Sequence, residues 1–306
     1  MPIILLLAAL GLVGGGAYLY TPDKSRTALE AEYAQPPSEF IQVAGLRMHV
    51  RDTGPRNAPV VILLHGLGSS LHTWEPWAQT LSTRFRVIRY DMPGFGLTGA
   101  DPTGDYTDAR SVVVLAALME ALSVPRASLA GNSMGGKLAW QFAAEHPDRV
   151  DRLVLISPDG YASPGFEYGK KPEVPTVARL LPYTLPTFML RANIVPAYGD
   201  KTRLTEPTIK RYRDMMLAPG VRQALLLRTA QVMLEPPEAR LRRIQAPTLL
   251  VWGEKDRLIP FSNAQDYVSV MHNARLVSFP DLGHVPQEEE PARSLVPVEA
   301  FLAERR

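Results

Sequence analysis

Leu129-Ala130-Gly131-Asn132-Ser133-Met134-Gly135-Gly136 is the stretch on which the reading of this chain turns. An apolar run over 127–130 leads into Gly-x-Ser-x-Gly, and a helical pattern follows over 137–145. Strand, tight turn with a central serine, then helix is the setting of a nucleophile elbow. Such a turn strains the serine backbone, and a side chain on either flank would strike the neighbouring strand or helix. Gly131 and Gly135 have no Cβ and avoid that collision. Ser133 is therefore expected at the tip of the turn, its hydroxyl exposed and a helix N-terminus beneath it. The five-residue pattern alone is weakly specific, so the rest of the chain must supply the context.

Working outward, 59–64 (Pro-Val-Val-Ile-Leu-Leu) is an unbroken apolar run, as expected of a parallel strand covered on both faces. Runs at 85–90, 127–130, 153–156, 248–252 and 275–279 repeat it, with helical patterns at 74–81, 109–122, 137–145, 262–271 and 291–304 between them. Two short strands at 39–43 and 46–52, joined through Ala44-Gly45, read as a hairpin ahead of the set. Alternation of this kind predicts an α/β protein with a doubly wound, mainly parallel sheet. Such sheets bind ligands at the carboxyl ends of their strands. Residues 158–239 break the alternation with prolines, tyrosines and methionines, helices expected at 205–216 and 221–234, and no buried strand. This insertion after the sixth core strand is expected to be a helical cap, leaving 38–157 and 240–306 as the core.

Residues 1–20 are almost wholly apolar, about the length that spans a bilayer as a helix. They lack the Lys/Arg start of a secretory signal. Tyr18 and Tyr20, then Lys24 and Arg26, suit a membrane interface. An uncleaved N-terminal anchor is expected, with a cleaved signal as the alternative, so the protein is expected at a membrane or exported to the periplasm. Residues 21–37, polar and ending in Pro36-Pro37, read as a linker. Net charge of +2, with no block of like charge, gives no reason to expect nucleic acid as a partner. The chain has no cysteine, which excludes disulfides and thiolate metal sites. Its six histidines show no zinc-ligand pairing, so neither a metal nor a cofactor is expected. Oligomeric state is left open.

A serine hydroxyl needs a base to take its proton, and the base needs an acid to orient it. Asp256 follows the strand at 248–252, and His284 follows the last core strand in Gly283-His284-Val285-Pro286. Glu254 and Asp159 are rivals for the acid. An oxyanion hole needs two convergent N–H groups. Met134 supplies one as the residue after the nucleophile, and Leu67, in His65-Gly66-Leu67-Gly68, is expected to supply the other. His65 reads as a brace for that loop. Gly66, Trp74 and Val285 are the expected substrate contacts.

Four motifs, His65-Gly66-Leu67-Gly68, Asp91-Met92-Pro93-Gly94-Phe95-Gly96, the elbow, and Asp256 with Gly283-His284, resemble those of the α/β-hydrolase superfamily over about residues 39–302. The resemblance implies the α/β-hydrolase fold, a Ser133–His284–Asp256 triad in the family's chain order, and a structural role for the Asp91 turn. Ser133 separates the chain from the dehalogenase and epoxide-hydrolase branches, which place an aspartate at the elbow. The elbow and the segment 200–205 resemble the carbon–carbon hydrolases of meta-ring-fission products. Those usually carry Trp after the catalytic His, where this chain has Val285, and hold their substrate carboxylate with an arginine, for which Arg191, Arg211 and Arg213 are candidates. The turn at 283–288 looks more like esterases and lipases. The expectation is a serine hydrolase of small apolar esters. The alternatives are a carbon–carbon hydrolase with the same triad and a membrane-tethered binding protein without turnover.

Overall fold

The computed structural model describes residues 19–165, 167–170 and 174–304. Apart from Leu19 and Tyr20, the expected anchor lies outside the described residues. Among those described, no helix is long and apolar enough to cross a membrane.

Eight strands form one sheet: β1 (Ser38–Val43), β2 (Leu46–Thr53), β3 (Val60–Leu64), β4 (Arg86–Tyr90), β5 (Ala127–Asn132), β6 (Val150–Ile156), β7 (Thr248–Gly253) and β8 (Ala274–Phe279). Their order is β1-β2-β4-β3-β5-β6-β7-β8. The β1·β2 and β2·β4 pairs are antiparallel and the rest parallel. The helices are α1 (Arg26–Tyr33), α2 (Glu75–Leu81), α3 (Asp108–Ala121), α4 (Met134–Glu145), α5 (Thr187–Ile194), α6 (Glu206–Met216), α7 (Val221–Gln231), α8 (Glu238–Leu241), α9 (Asn263–Val270), α10 (Pro286–Glu289) and α11 (Pro291–Ala303).

The unbroken apolar runs follow from burial on both faces. Along β3, Ile62 and Leu64 enter a core with Leu115 of α3, Leu138 of α4 and Tyr267 of α9. Val61 and Leu63 point the other way, onto Trp77 of α2 and Val298 of α11. Strands β6 and β7 divide their side chains in the same way. Each such side chain is worth roughly 1.5–3 kcal/mol when fully buried, enough to override the usual alternation with polar residues. Helix starts carry local caps: Thr107 accepts from Arg110 N–H ahead of α3, and Thr205 from Thr208 N–H ahead of α6.

Between β6 and β7, helices α5 to α8 and short 3₁₀ turns make up the inserted block. Leu190, Ile194, Ile209, Met215, Met216 and Val221 form a third apolar cluster there, which also takes in Val285 from the loop after β8. The stretch expected to be a linker is corrected. Ser25 caps α1, and Leu29, 1% exposed, is buried in this same cluster. Ion pairs fix α1 and its approach on both sides, Arg47–Glu30 to the core and Lys24–Asp214 and Arg222–Asp23 to the cap. Residues 21–37 are thus a strap across two parts of the fold. Their polar sequence hid this because one buried leucine and distant partners do the holding.

Candidate active site

Strand β5 runs to Asn132 and α4 starts at Met134, so Ser133 alone makes the turn. Its backbone is at φ 55°, ψ −121°, a region that costs a non-glycine residue about 1–3 kcal/mol. The surroundings hold it there. Ser133 N–H donates to Ile156 O at 3.0 Å, while its carbonyl accepts from Lys137 N–H at 2.9 Å and Asp159 N–H at 3.1 Å. A Cβ on Gly131 would lie 2.2 Å from Gly135 O, and one on Gly135 would lie 2.2 Å from Leu64 O. Strand and helix therefore pack backbone to backbone, which leaves no room for a loop.

His284 Nδ1 lies 2.8 Å from Asp256 Oδ2, with both side chains buried. A carboxylate can only accept, so Nδ1 carries the proton and Nε2 is left as the basic nitrogen. The other oxygen of Asp256 accepts from Leu258 N–H at 2.8 Å and Ile259 N–H at 2.9 Å, which fixes the carboxylate plane. Neither rival carboxylate meets the His284 ring: Glu254 accepts from Ser278 Oγ, and the main-chain carbonyl of Asp159 accepts from Trp140 and Tyr267. Asn132 joins the two loops, its Nδ2 donating to His284 O at 2.9 Å and to Ile156 O at 3.1 Å.

The loop after β3 lies against the nucleophile. A Cβ on Gly66 would meet Ser133 Cβ at 3.3 Å and Asn132 Oδ1 at 3.0 Å. Leu67 follows, half exposed, and Met134 opens α4, where the first N–H groups have no acceptor within the helix. His65 braces this loop. Met92 N–H donates to its Nε2 at 3.0 Å, so its Nδ1–H donates to Gly66 O at 2.8 Å, and burial lowers its pKa. Asp91 accepts from Leu71 N–H and Leu97 N–H and contacts His49 Nδ1 at 2.8 Å. Burial opposes its ionisation, but His49 beside it pulls the carboxyl well below its usual range. A Cβ on Gly96 would lie 2.2 Å from that carboxylate.

Two adjacent glutamates, neither marked by any sequence motif, latch the cap to these loops. Glu289 accepts from Gly283 N–H at 2.7 Å, beside the histidine, and from Asp200 N–H at 2.7 Å and Gly199 N–H at 3.1 Å in the cap. His284 N–H itself donates to Ala197 O at 2.7 Å. Glu288 binds Arg211 and accepts from Tyr198 at 2.8 Å and Tyr212 at 3.3 Å. Burial and then Glu288 raise both tyrosine pKa values, keeping them as neutral donors.

Two expectations change. Trp74 is 0% exposed and sits with Trp77, Leu63 and Val298 on the α2/α11 side of the sheet, so it is a core side chain and no pocket wall. The candidate arginines are also occupied or misplaced. Arg191 pairs with Glu206 and Arg211 with Glu288, while Arg213 lines a surface groove with Leu19–Pro22 and Phe188. Val285 is buried against the cap cluster, next to His284.

This fold and this set of loops define a hydrolase of the α/β class. The chain belongs to the alpha/beta hydrolase fold family, whose model matches residues 59–291. Among curated relatives, a 2-hydroxy-6-oxo-6-phenylhexa-2,4-dienoate hydrolase of Burkholderia cepacia is 30% identical over 82% of this chain and 91% of its own. A meta-cleavage product hydrolase from Pseudomonas fluorescens IP01 is similar in structure, with a TM-score of 0.74, 26% identity and coverage of 86% and 97%. A membrane phospholipase A described as a bacterial virulence factor has the same TM-score at 28% identity, covering 98% of this chain and 96% of its own. That coverage takes in residues ahead of β1.

Proposed function

We propose that the protein hydrolyses carboxylic esters of apolar acyl or alcohol groups through an acyl-enzyme on Ser133. The observation that carries the reading is Ser133 held at a positive φ between the Gly66 loop and the loop of an oriented His284–Asp256 pair. In this reading His284 Nε2 takes the serine proton as the oxygen attacks the ester carbonyl. The N–H groups of Leu67 and Met134 receive the oxyanion charge. Asp256 stabilises the imidazolium, which then protonates the leaving alcohol. Water, deprotonated by His284, releases the acid and restores the serine.

Two observations favour esters. None of the three candidate arginines is placed to clamp a substrate carboxylate, and the phospholipase A resembles the chain over nearly its whole length. We further propose a membrane-tethered protein, on the apolar sequence of residues 1–20. The second reading, carbon–carbon bond hydrolysis with the same triad, is favoured by the likeness to the dienoate hydrolase of Burkholderia cepacia and the meta-cleavage product hydrolase of Pseudomonas fluorescens. A panel of p-nitrophenyl esters of graded acyl length, run beside a ring-fission dienoate, separates the two. Ester turnover abolished in Ser133→Ala is the expected result, and turnover of the dienoate alone would overturn it. Absence of fluorophosphonate labelling on folded wild-type protein would reject the serine mechanism itself.

A further inference from the structure

Several of the large apolar side chains that the fold leaves in solvent lie on Leu19–Tyr20 and on the cap segment 177–188 that is hydrogen-bonded to them. Leu19 is 45% exposed, Phe188 is 69% exposed, and Tyr20, Val177, Leu180 and Tyr183 lie between these values. Hydrogen bonds knit the two segments into one surface. Thr21 N–H donates to Tyr183 O at 2.9 Å, Thr184 Oγ1 to Leu19 O at 2.7 Å, and Leu185 N–H to Thr21 Oγ1 at 3.2 Å. A groove of about 460 Å³ runs between them, walled by Leu19, Tyr20, Pro186 and Phe188, with Arg213 at its side.

The charge pattern is equally one-sided. From residue 174 to 190, and again from 19 to 22, the only charged residue is Arg179, exposed and without an ion-pair partner among the described residues. Other cap charges are paired, among them Arg191 with Glu206 and Lys170 with Glu167. Apolar and tyrosine side chains with cations and no carboxylate among them, Arg179 on the 174–190 segment and Arg213 beside the groove, match the boundary between acyl chains and lipid phosphates. A patch of this kind left in water would be a liability for a soluble monomer.

The chain itself identifies the occupant. The eighteen residues ahead of Leu19 contain no charged side chain, and they join the fold at this face. If that stretch enters a bilayer, Leu19 and Tyr20 are drawn to the bilayer surface and the cap residues bonded to them follow.

We propose that this face of the cap is a bilayer-contact surface. Leu19, Tyr20, Val177, Leu180, Tyr183 and Phe188 lie at the acyl–headgroup boundary of a phospholipid membrane, and Arg179 lies on the lipid phosphates. The assignment holds whichever bond the enzyme cleaves.

The test uses the full chain in vesicles of phosphatidylcholine and phosphatidylglycerol, with and without brominated acyl chains. The four native tryptophans, Trp74, Trp77, Trp140 and Trp252, are buried and give a steady background. Phe188→Trp should emit at shorter wavelength in vesicles than in detergent-free denaturant, and should lose fluorescence to the brominated lipid beyond the loss seen in the parent protein. Val113→Trp, placed where the side chain is 55% exposed on α3 of the core, should not. Equal quenching at the two positions, or none beyond the parent at Phe188, overturns the proposal. The chain has no cysteine, so Phe188→Cys adds a unique thiol. Its oxidation to a disulfide between two copies in vesicles would assign the face to self-association and overturn the proposal as well.

Discussion

Replacing Glu289 with glutamine tests whether the cap positions the catalytic histidine. The native carboxylate accepts three backbone N–H groups, with Gly199 and Gly283 sharing Oε2 and Asp200 on Oε1. A glutamine of the same shape can keep its oxygen on only one of those sides. Its NH2 group must then face a buried N–H donor on the other. Hydrogen bonds to a charged group are worth about 1.5–3 kcal/mol, and an opposed buried donor adds to the loss, giving roughly 2–4 kcal/mol of destabilisation. Gly283 precedes His284, so relaxation there tilts the imidazole relative to Ser133. Misplacement on the order of 1 Å can cost about 100-fold in rate. Glu289→Gln should therefore lower kcat on a short-chain p-nitrophenyl ester about 10- to 100-fold with little change in KM, and lower the urea midpoint. A variant with wild-type kcat and a reduced midpoint would refute the positioning argument, leaving Glu289 a purely structural latch.

Gly135→Ala should cost at least about 3 kcal/mol or prevent folding, because its Cβ would meet backbone oxygens of Leu64 at 2.2 Å and His65 at 2.6 Å that no side-chain rotation can move. Gly45→Ala, with nothing within 4 Å and only its positive φ against it, should cost about 1 kcal/mol by the same denaturation assay. Leu29→Ala should destabilise by about 2–5 kcal/mol, as a core leucine does; a loss under about 0.5 kcal/mol would return residues 21–37 to a passive linker. Burial lowers the His72 pKa from 6.5 to about 4, against the pull of Asp91. The folded state prefers neutral His72, so this stability is complete above pH 6.5 and is lost as pH falls toward 4, by roughly 3 kcal/mol in all. His72→Gln should flatten that part of the stability–pH curve, and parallel curves for variant and wild type would contradict the assignment.

The sheet was legible because burial on both faces leaves apolar runs of strand length alternating with helical patterns, and β3, β6 and β7 lie within the runs at 59–64, 153–156 and 248–252 or extend them. Element ends were less legible around the elbow. The glycines read as a longer turn, whereas β5 reaches Asn132 and α4 starts at Met134, because backbone contacts with β3 and β6 complete both ends. Trp74 shows the limit for single side chains. Its place beside the oxyanion loop in sequence suggested the pocket, but the first turn after that loop swings it under the sheet onto Trp77.

By itself, the sequence determined the strand–elbow–helix unit, the order of Ser133, Asp256 and His284, and the insertion of a helical block after β6. These are local patterns of period, turn chemistry and chain order, which need no knowledge of what lies across the fold. Only the tertiary structure decided which carboxylate meets His284, that α1 is a strap, that Arg191 and Arg211 are held by glutamates, and that Glu289 ties the cap to the histidine loop. Each of those depends on pairing between residues far apart in the chain. A charge or amide can satisfy many partners, and only packing selects the one it meets.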